Sequence, residues 1–474
     1  MKQIKPEEFA MPFTRLDEKH KRSIRKLISP DRFSDGESHC NLHARDQSFH
    51  PPCPPDAVVW PKTAEEVSQI LAYANTHGIP IVGWGSGSSL EGNPIPVCGG
   101  VILDFSEMNQ ILDIREADFQ VVVQPGLVYQ DLNHALRHTG LFFPPDPGAR
   151  ATIGGMIANN ASGTRTVYYG STKDYVLRLK VVMANGDIVE IGGRSAKSSS
   201  GYNLNQLFIG SEGTLGIIVE ATLRLTGTPE DFSAVIATFP SVESAGKAVF
   251  EIRRSGLSPA ALELLGPECI ELFNIQADLG LTVSPTLFIE FHGASKAYMA
   301  EMIDICRMIC EENGSEQFEA GLGRQERDRL FEARHDLGEM IVRNHPGCAI
   351  LVMDVAVPPS AYPEMIGFAR REIAKSGLTG YVFSHAGDGN LHLNIAGETG
   401  NTDHWQVIDA MVLRIVNNAL SLGGTATGEH GVGIGKRKFM EAEHGRSLEL
   451  MKRIKNLFDP KGILNPGKIF PEDP

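Results

Sequence analysis

Apolar positions along the chain change period several times, and each change predicts an element. In the run PKTAEEVSQILAYANTHG, Val67, Ile70, Leu71 and Ala74 recur at three- and four-residue spacing, which predicts an amphipathic helix. Thr63 and Glu66 read as its capping box and Gly78 as its stop. Short apolar runs at 79–83, 101–105 and 120–124 predict strands, and 129–140 a second helix. LKVVMANGDIVEIG reads as a hairpin turning on Asn185 and Gly186. The composition shifts near residues 226–231. Beyond it the pattern runs strand, helix, strand, helix, strand, helix, strand to about residue 320, an α+β layer of ferredoxin-like type. A long helix (321–344), a strand (349–357), a helix (361–375), a histidine-bearing hairpin and another helix (403–420) follow, before an extended, turn-rich tail. The expected organisation is an N-terminal helical segment (1–50), a first domain (51–228), a second domain (229–457) and a C-terminal tail (458–474).

Four stretches carry no amphipathic period and are rich in glycine. GWGSGSSLEGNPIP (83–96) follows a strand, with Gly85 and Gly87 alternating with Ser86, Ser88 and Ser89; glycines admit a phosphate close to backbone N–H groups, and serines add donors. A nicotinamide-binding loop would open directly into a helix, which Pro94 and Pro96 forbid. Residues 142–170 read as one long irregular segment, the kind that lines a ligand. The third and fourth are 208–225, which runs into a strand, and 423–438.

The hairpin FSHAGDGNLHLNI sets His385 and His392 about an Asp-Gly turn. A two-residue turn at Asp388 and Gly389 would put the two histidines directly opposite each other on one face, close enough to share a metal ion. The same spacing also fits an exposed turn bearing two unrelated histidines. Downstream, GEHGVG adds Glu429 and His430. Taken singly, each fits a solvated glutamate and a helix-capping histidine; taken together, two histidines and a carboxylate compose a common site for zinc, manganese or iron. Neighbours in extended backbone point to opposite sides, so Glu429 and His430 are expected to do different jobs.

Composition narrows the class. The 474 residues exceed what one small domain needs, and a formal net charge of -14 argues against a nucleic-acid partner. No apolar stretch of about 18 residues predicts a membrane span. The N-terminus lacks the apolar core of a signal peptide. Seven scattered cysteines outline neither a disulfide framework nor an iron–sulfur run, so a reducing cytoplasm is expected, a peripheral place at the inner membrane being compatible. Cys306 and Cys310, four apart on a predicted helix, read as core.

GWGSGSSLEG, TIGGMIANNASG, GSEGTLGII, HAGDGNLH, GEHGVG and LNPGK, in this order and spacing, resemble the FAD-linked oxidases of the vanillyl-alcohol oxidase and PCMH type. The nearest branch is that of D-lactate dehydrogenases, glycolate oxidase flavin subunits and D-2-hydroxyglutarate dehydrogenases. The resemblance implies a PCMH-type FAD-binding domain, an α+β substrate (cap) domain and a C-terminal helical segment. It implies that the FAD pyrophosphate lies on Gly85, Ser86, Gly87, Ser88 and Ser89. Thr152, Gly155, Asn160, Ser162 and Gly163 would run along the flavin, Glu212 and Ile218 near its adenosine half, and Asn465 near the ring. The first loop has no histidine, so non-covalent FAD is expected. The same resemblance makes His385, His392 and Glu429 ligands of a divalent metal, His430 the active-site base, Arg334 the substrate-carboxylate clamp and Asn394 a substrate contact. The implied reaction is oxidation of a D-2-hydroxy acid to the 2-oxo acid, with hydride passing to flavin N5 and electrons then to a cytochrome, quinone or flavoprotein. Gly338 and Ala349, four and fifteen residues after Arg334, stand where the hydroxyglutarate branch carries polar residues, which favours lactate or a longer apolar acid over a diacid. Two alternatives inside the branch are a glycolate oxidase flavin subunit and a D-2-hydroxyglutarate dehydrogenase. Outside it stand a non-flavin Fe²⁺ oxygenase and a protein that only carries flavin. Oligomeric state, a homodimer included, is open.

Overall fold

The computed structural model describes residues 13–293, 295–322 and 324–471. The first twelve residues of the expected N-terminal segment and the last three of the tail lie outside the described residues. The α+β class is borne out, with helices and sheets in separate layers.

Besides a two-stranded pair, Leu141–Phe142 with Thr226–Gly227, the first half holds two larger sheets. One has the order Phe33–Ser34, Ala57–Val59, Val101–Asp104, Ile81–Trp84, its last three strands parallel. The other is antiparallel: Ile111–Arg115, Gln120–Val123, Ile217–Arg224, Val176–Val182, Ile188–Gly192. The helix Ala64–His77 buries the expected stripe, Val67, Ile70, Leu71 and Ala74, and Gly78 closes it at φ 67. Its capping box is only half made. Thr63 accepts from the Glu66 N–H, but the Glu66 carboxylate turns to the Lys62 N–H and the Arg32 guanidinium, because a charged partner outcompetes the cap amide. Residues 142–170, expected to be irregular throughout, contain the helix Ile153–Asn159, capped by Thr152, and the short helix Thr166–Tyr169. Two glycines and an alanine at helical spacing hid the first of these from pattern reading.

The second half is built on one antiparallel seven-stranded sheet. Its order is Gln317–Leu322, Asp231–Thr238, Thr286–Gly293, Ala261–Leu265, Gly380–His385, Asn390–Glu398, Cys348–Ala356. Helices Val242–Arg254, Lys296–Glu312, Tyr362–Ser376 and Thr402–Ser421 cover one face, where Cys306 and Cys310 are fully buried. Helices Pro267–Ala277 and Arg324–Asn344 cover part of the other. The polar remainder of that second face looks toward the first half. No helix among the described residues is long and apolar enough to cross a membrane.

Candidate active site

The hairpin forms, but in a different register from the expected one. Ala386–Asp388 make a 3₁₀ turn closed by Gly389 at φ 73, a position that favours glycine. His385 therefore lies opposite Asn390, and His392 opposite Phe383. The shift is by two residues, so side-chain parity survives and both imidazoles stay on one face. Their ring centroids are 5.0 Å apart, and both Nε2 atoms stand 3.2 Å from Glu429 Oε1. One donor atom from each of the three lies within 4.8 Å of the others, the spacing a single cation needs.

Glu263 and Asp354, which sequence reading missed, orient this cluster. Glu263, 0% exposed, accepts His385 Nδ1 at 2.8 Å and Arg334 Nε at 2.9 Å. In the neutral imidazole that hydrogen bond would leave the His385 Nε2 lone pair facing the cluster. Asp354, also 0% exposed, accepts the backbone N–H groups of Glu429 (2.8 Å) and His430 (3.0 Å), the Thr427 hydroxyl and the Asn390 amide, and lies 3.8 Å from His392 Nδ1. Each is a lone acid inside an apolar strand, ALELL and VMDVA. That was the available signal, since a carboxylate so placed needs partners.

Arg334 is buried over the Phe383 ring but is not a free clamp. Glu263 takes its Nε, while its Nη2 is buried with no partner among the described residues. Asn394 Oδ1 and His430 Nδ1 are likewise buried and without a partner among the described residues. His430 stacks on His392 at 5.2 Å, its Nε2 being 4.0 Å from Glu429 Oε1.

Burial sets the charges. It pushes His430 down to about 4, against the pull of Asp354, so the imidazole is neutral near pH 7. Burial also pulls His385 down, but Glu263 and Glu429 outweigh it and raise it to about 10. Without a metal, a proton on His385 thus offsets the excess negative charge, a place a divalent cation would take with release of that proton.

Next to this cluster runs a long cavity lined by all three glycine-rich loops of the first half. Gly85 to Ser89, Thr152, Gly155, Ser162, Glu212, Ile218 and Asn465 line it, with Glu429 and His430 at one wall. The N–H groups of Ser86, Gly87, Ser88 and Ser89 donate to no backbone carbonyl among the described residues, leaving them for an anion. A Cβ at Gly85 would overlap Thr152 Oγ1, so the cradle needs glycine there. A dinucleotide with a pyrophosphate fits this donor set.

Of the other expected residues, some stand away from the cavity and some line it with partners of their own. Asn160 and Gly163 do not line the cavity: Asn160 caps the helix at φ 52, its Oδ1 accepting from Ser171 Oγ and the Lys173 N–H, and Gly163 packs against the Asp146 carbonyl. Glu212 lines the cavity, but its carboxylate accepts the N–H groups of Val432 and Gly433 beside His430, together with the Asn93 amide. The Asn465 amide ties the Asn93 and Glu212 carbonyls together rather than standing free. Ala349 packs into the core on the sheet's far face, away from the site, so its identity carries no information about substrate; Gly338, one helical turn after Arg334, offers no second donor.

Comparison with known proteins agrees with this geometry. The family described as "FAD linked oxidases, C-terminal domain" matches residues 228–469, and "FAD binding domain" matches residues 55–192. A "Probable D-lactate dehydrogenase, mitochondrial" of Danio rerio is 40% identical, covering 94% of this chain and 91% of that protein. "Glycolate oxidase subunit GlcD" of Bacillus subtilis is 36% identical over 96% of this chain and 97% of its own length. Among solved structures, 4-ethylphenol oxidase from Gulosibacter chungangensis shares the fold at TM-score 0.77 and 19% identity, covering 95% of this chain and 97% of that one. p-Cresol methylhydroxylase does so at TM-score 0.74 and 18% identity, covering 95% and 96%. A flavin cradle built from three glycine-rich loops, joined to a second domain that matches the family over half the chain, makes this protein a member of the FAD-linked oxidases.

Proposed function

We propose that this oxidoreductase converts a D-2-hydroxy acid, D-lactate or a longer apolar analogue, to the 2-oxo acid. FAD is held non-covalently on Gly85–Ser89, and a divalent metal, zinc, manganese or iron, by His385, His392 and Glu429. The observation that carries the reading is the position of His430, a neutral imidazole that lines the flavin cavity and stacks on a metal-ligand histidine. Bound flavin supplies the hydride acceptor, and the cation supplies Lewis acidity toward the substrate hydroxyl. The His430 imidazole, neutral near pH 7, takes the hydroxyl proton. Arg334 Nη2 donates to the substrate carboxylate while Glu263 holds the guanidinium in place. Asn394, two residues beyond His392 on the same face, orients the substrate. The names of the relatives support the same substrate class.

Anaerobic stopped-flow reduction of the flavin tests this, using D- and L-lactate, longer D-2-hydroxy acids, glycolate and D-2-hydroxyglutarate, before and after chelation of metal. Fast reduction by D-lactate or an apolar homologue, lost on chelation, is expected. Fast reduction in metal-free enzyme, or a preference for the diacid, would refute it. A preference for glycolate would select the second reading, a glycolate oxidase flavin subunit, which the match to nearly the full length of GlcD favours.

A further inference from the structure

Several hydrogen bonds join the walls of the flavin cavity to the loop that carries Glu429 and His430, and two of them start in one short run of chain. The helix Ile153–Asn159 stops on the left-handed Asn160, and Gly163 follows at φ 139 against the Asp146 carbonyl. Between these fixed points Ser162 lines the cavity, and its Oγ donates to Glu429 Oε2 at 2.7 Å. Asn159, in the same wall, donates to the His430 carbonyl at 3.3 Å.

The two oxygens of Glu429 are thereby divided. Oε1 faces the Nε2 atoms of His385 and His392, and Oε2 belongs to Ser162. A carboxylate held this way presents a single, aimed oxygen to a cation. A hydroxyl facing an open cavity exchanges this bond with water. The same hydroxyl behind a bound ring system is drier and has fewer rotamers, so its bond to the carboxylate strengthens.

We propose that Ser162 is a positioning residue that couples the two sites, so that flavin occupancy strengthens metal binding and metal binding strengthens flavin retention. The inference rests on the flavin-and-metal reading above. Linkage makes the coupling reciprocal: the factor by which FAD tightens the metal must equal the factor by which the metal tightens FAD.

The test measures Zn²⁺ affinity by chelator competition on flavin-loaded and flavin-stripped full-length protein, and FAD affinity by flavin fluorescence with and without Zn²⁺. In the wild type each ligand should tighten the other by about tenfold, the scale of one hydrogen bond to a charged acceptor. Ser162→Ala should lower Zn²⁺ affinity of the loaded form by about that factor and remove the reciprocal effect, and Ser162→Thr, which keeps the hydroxyl, should restore both. The wild-type comparison needs no variant, so a misfolded Ser162→Ala chain leaves the proposal decidable. Equal Zn²⁺ affinity of loaded and stripped wild type, or full coupling in Ser162→Ala, overturns the coupling alone. Wild type that holds no divalent ion in either form overturns the metal reading and this proposal with it.

Discussion

Glu263→Gln changes one buried atom and should disturb two sites at once. The carboxylate is fully buried; burial pushes its pKa up, but His385 and Arg334 outweigh that and keep it ionised. It receives Arg334 Nε at 2.9 Å and His385 Nδ1 at 2.8 and 3.0 Å. Glutamine offers one acceptor oxygen and must turn its NH₂ toward the other donor. If the oxygen stays with Arg334, His385 must accept at Nδ1 and carry its proton on Nε2, the atom aimed at Glu429. If it stays with His385, an NH₂ confronts a buried guanidinium whose Nη2 already lacks a partner among the described residues. Removing one partner of a buried pair costs about 3–5 kcal/mol. Loss of the group that orients a metal-binding histidine costs about 10–100-fold in metal affinity. Urea unfolding of the metal-free chain and Zn²⁺ titration by chelator competition read the two effects separately. Arg334→Met in the Glu263→Gln background should recover part of the stability, because the unpaired cation is gone, but none of the metal affinity. A single variant within about 1 kcal/mol of wild type, with unchanged Zn²⁺ affinity, would refute the reasoning.

Three further outcomes are expected. His430→Ala should retain metal and FAD yet slow flavin reduction by about 10²–10⁴-fold, the loss expected for a general base; single-turnover stopped-flow checks it. Arg334→Ala should raise the substrate concentration needed for half-maximal reduction, and Arg334→Lys should recover only part, since an ammonium lacks the planar fork; substrate titration of the reduction rate measures both. The third concerns pH and two buried groups that stand beside Gly435, His50 and Glu91. Burial, with Lys468 nearby, pushes His50 down from 6.5 to about 4, so its contribution to stability is lost as pH falls from 6.5 to 4. Burial raises Glu91 from 4.5 to about 8 against the pull of Lys436, so its contribution is lost as pH rises from 4.5 to 8. The two oppose each other between 4.5 and 6.5; His50→Gln should remove the His50 contribution, so that the stability of wild type relative to the variant grows as pH rises from 4 to 6.5, which paired urea midpoints across the range would detect.

Local rules were enough for much of this protein. The helix Ala64–His77 follows from one apolar stripe between a threonine and a glycine, and the strand–helix alternation after residue 228 follows from period alone. That the glycine loops line one cavity was legible because long glycine-rich stretches without a period do not pack as core elements. The shared face of His385 and His392 was legible because parity along a ribbon survives an even shift of register. The register itself depended on a turn conformation that Asp-Gly does not uniquely dictate. Tertiary structure alone decided which acid meets which base. Glu263 reaches Arg334 across 71 residues and His385 across 122, and Ser162 reaches Glu429 across 267. No periodicity encodes such pairs. They form because packing the second sheet against the flavin-binding half removes water from these carboxylates, and a dehydrated charge must find its donors within the protein.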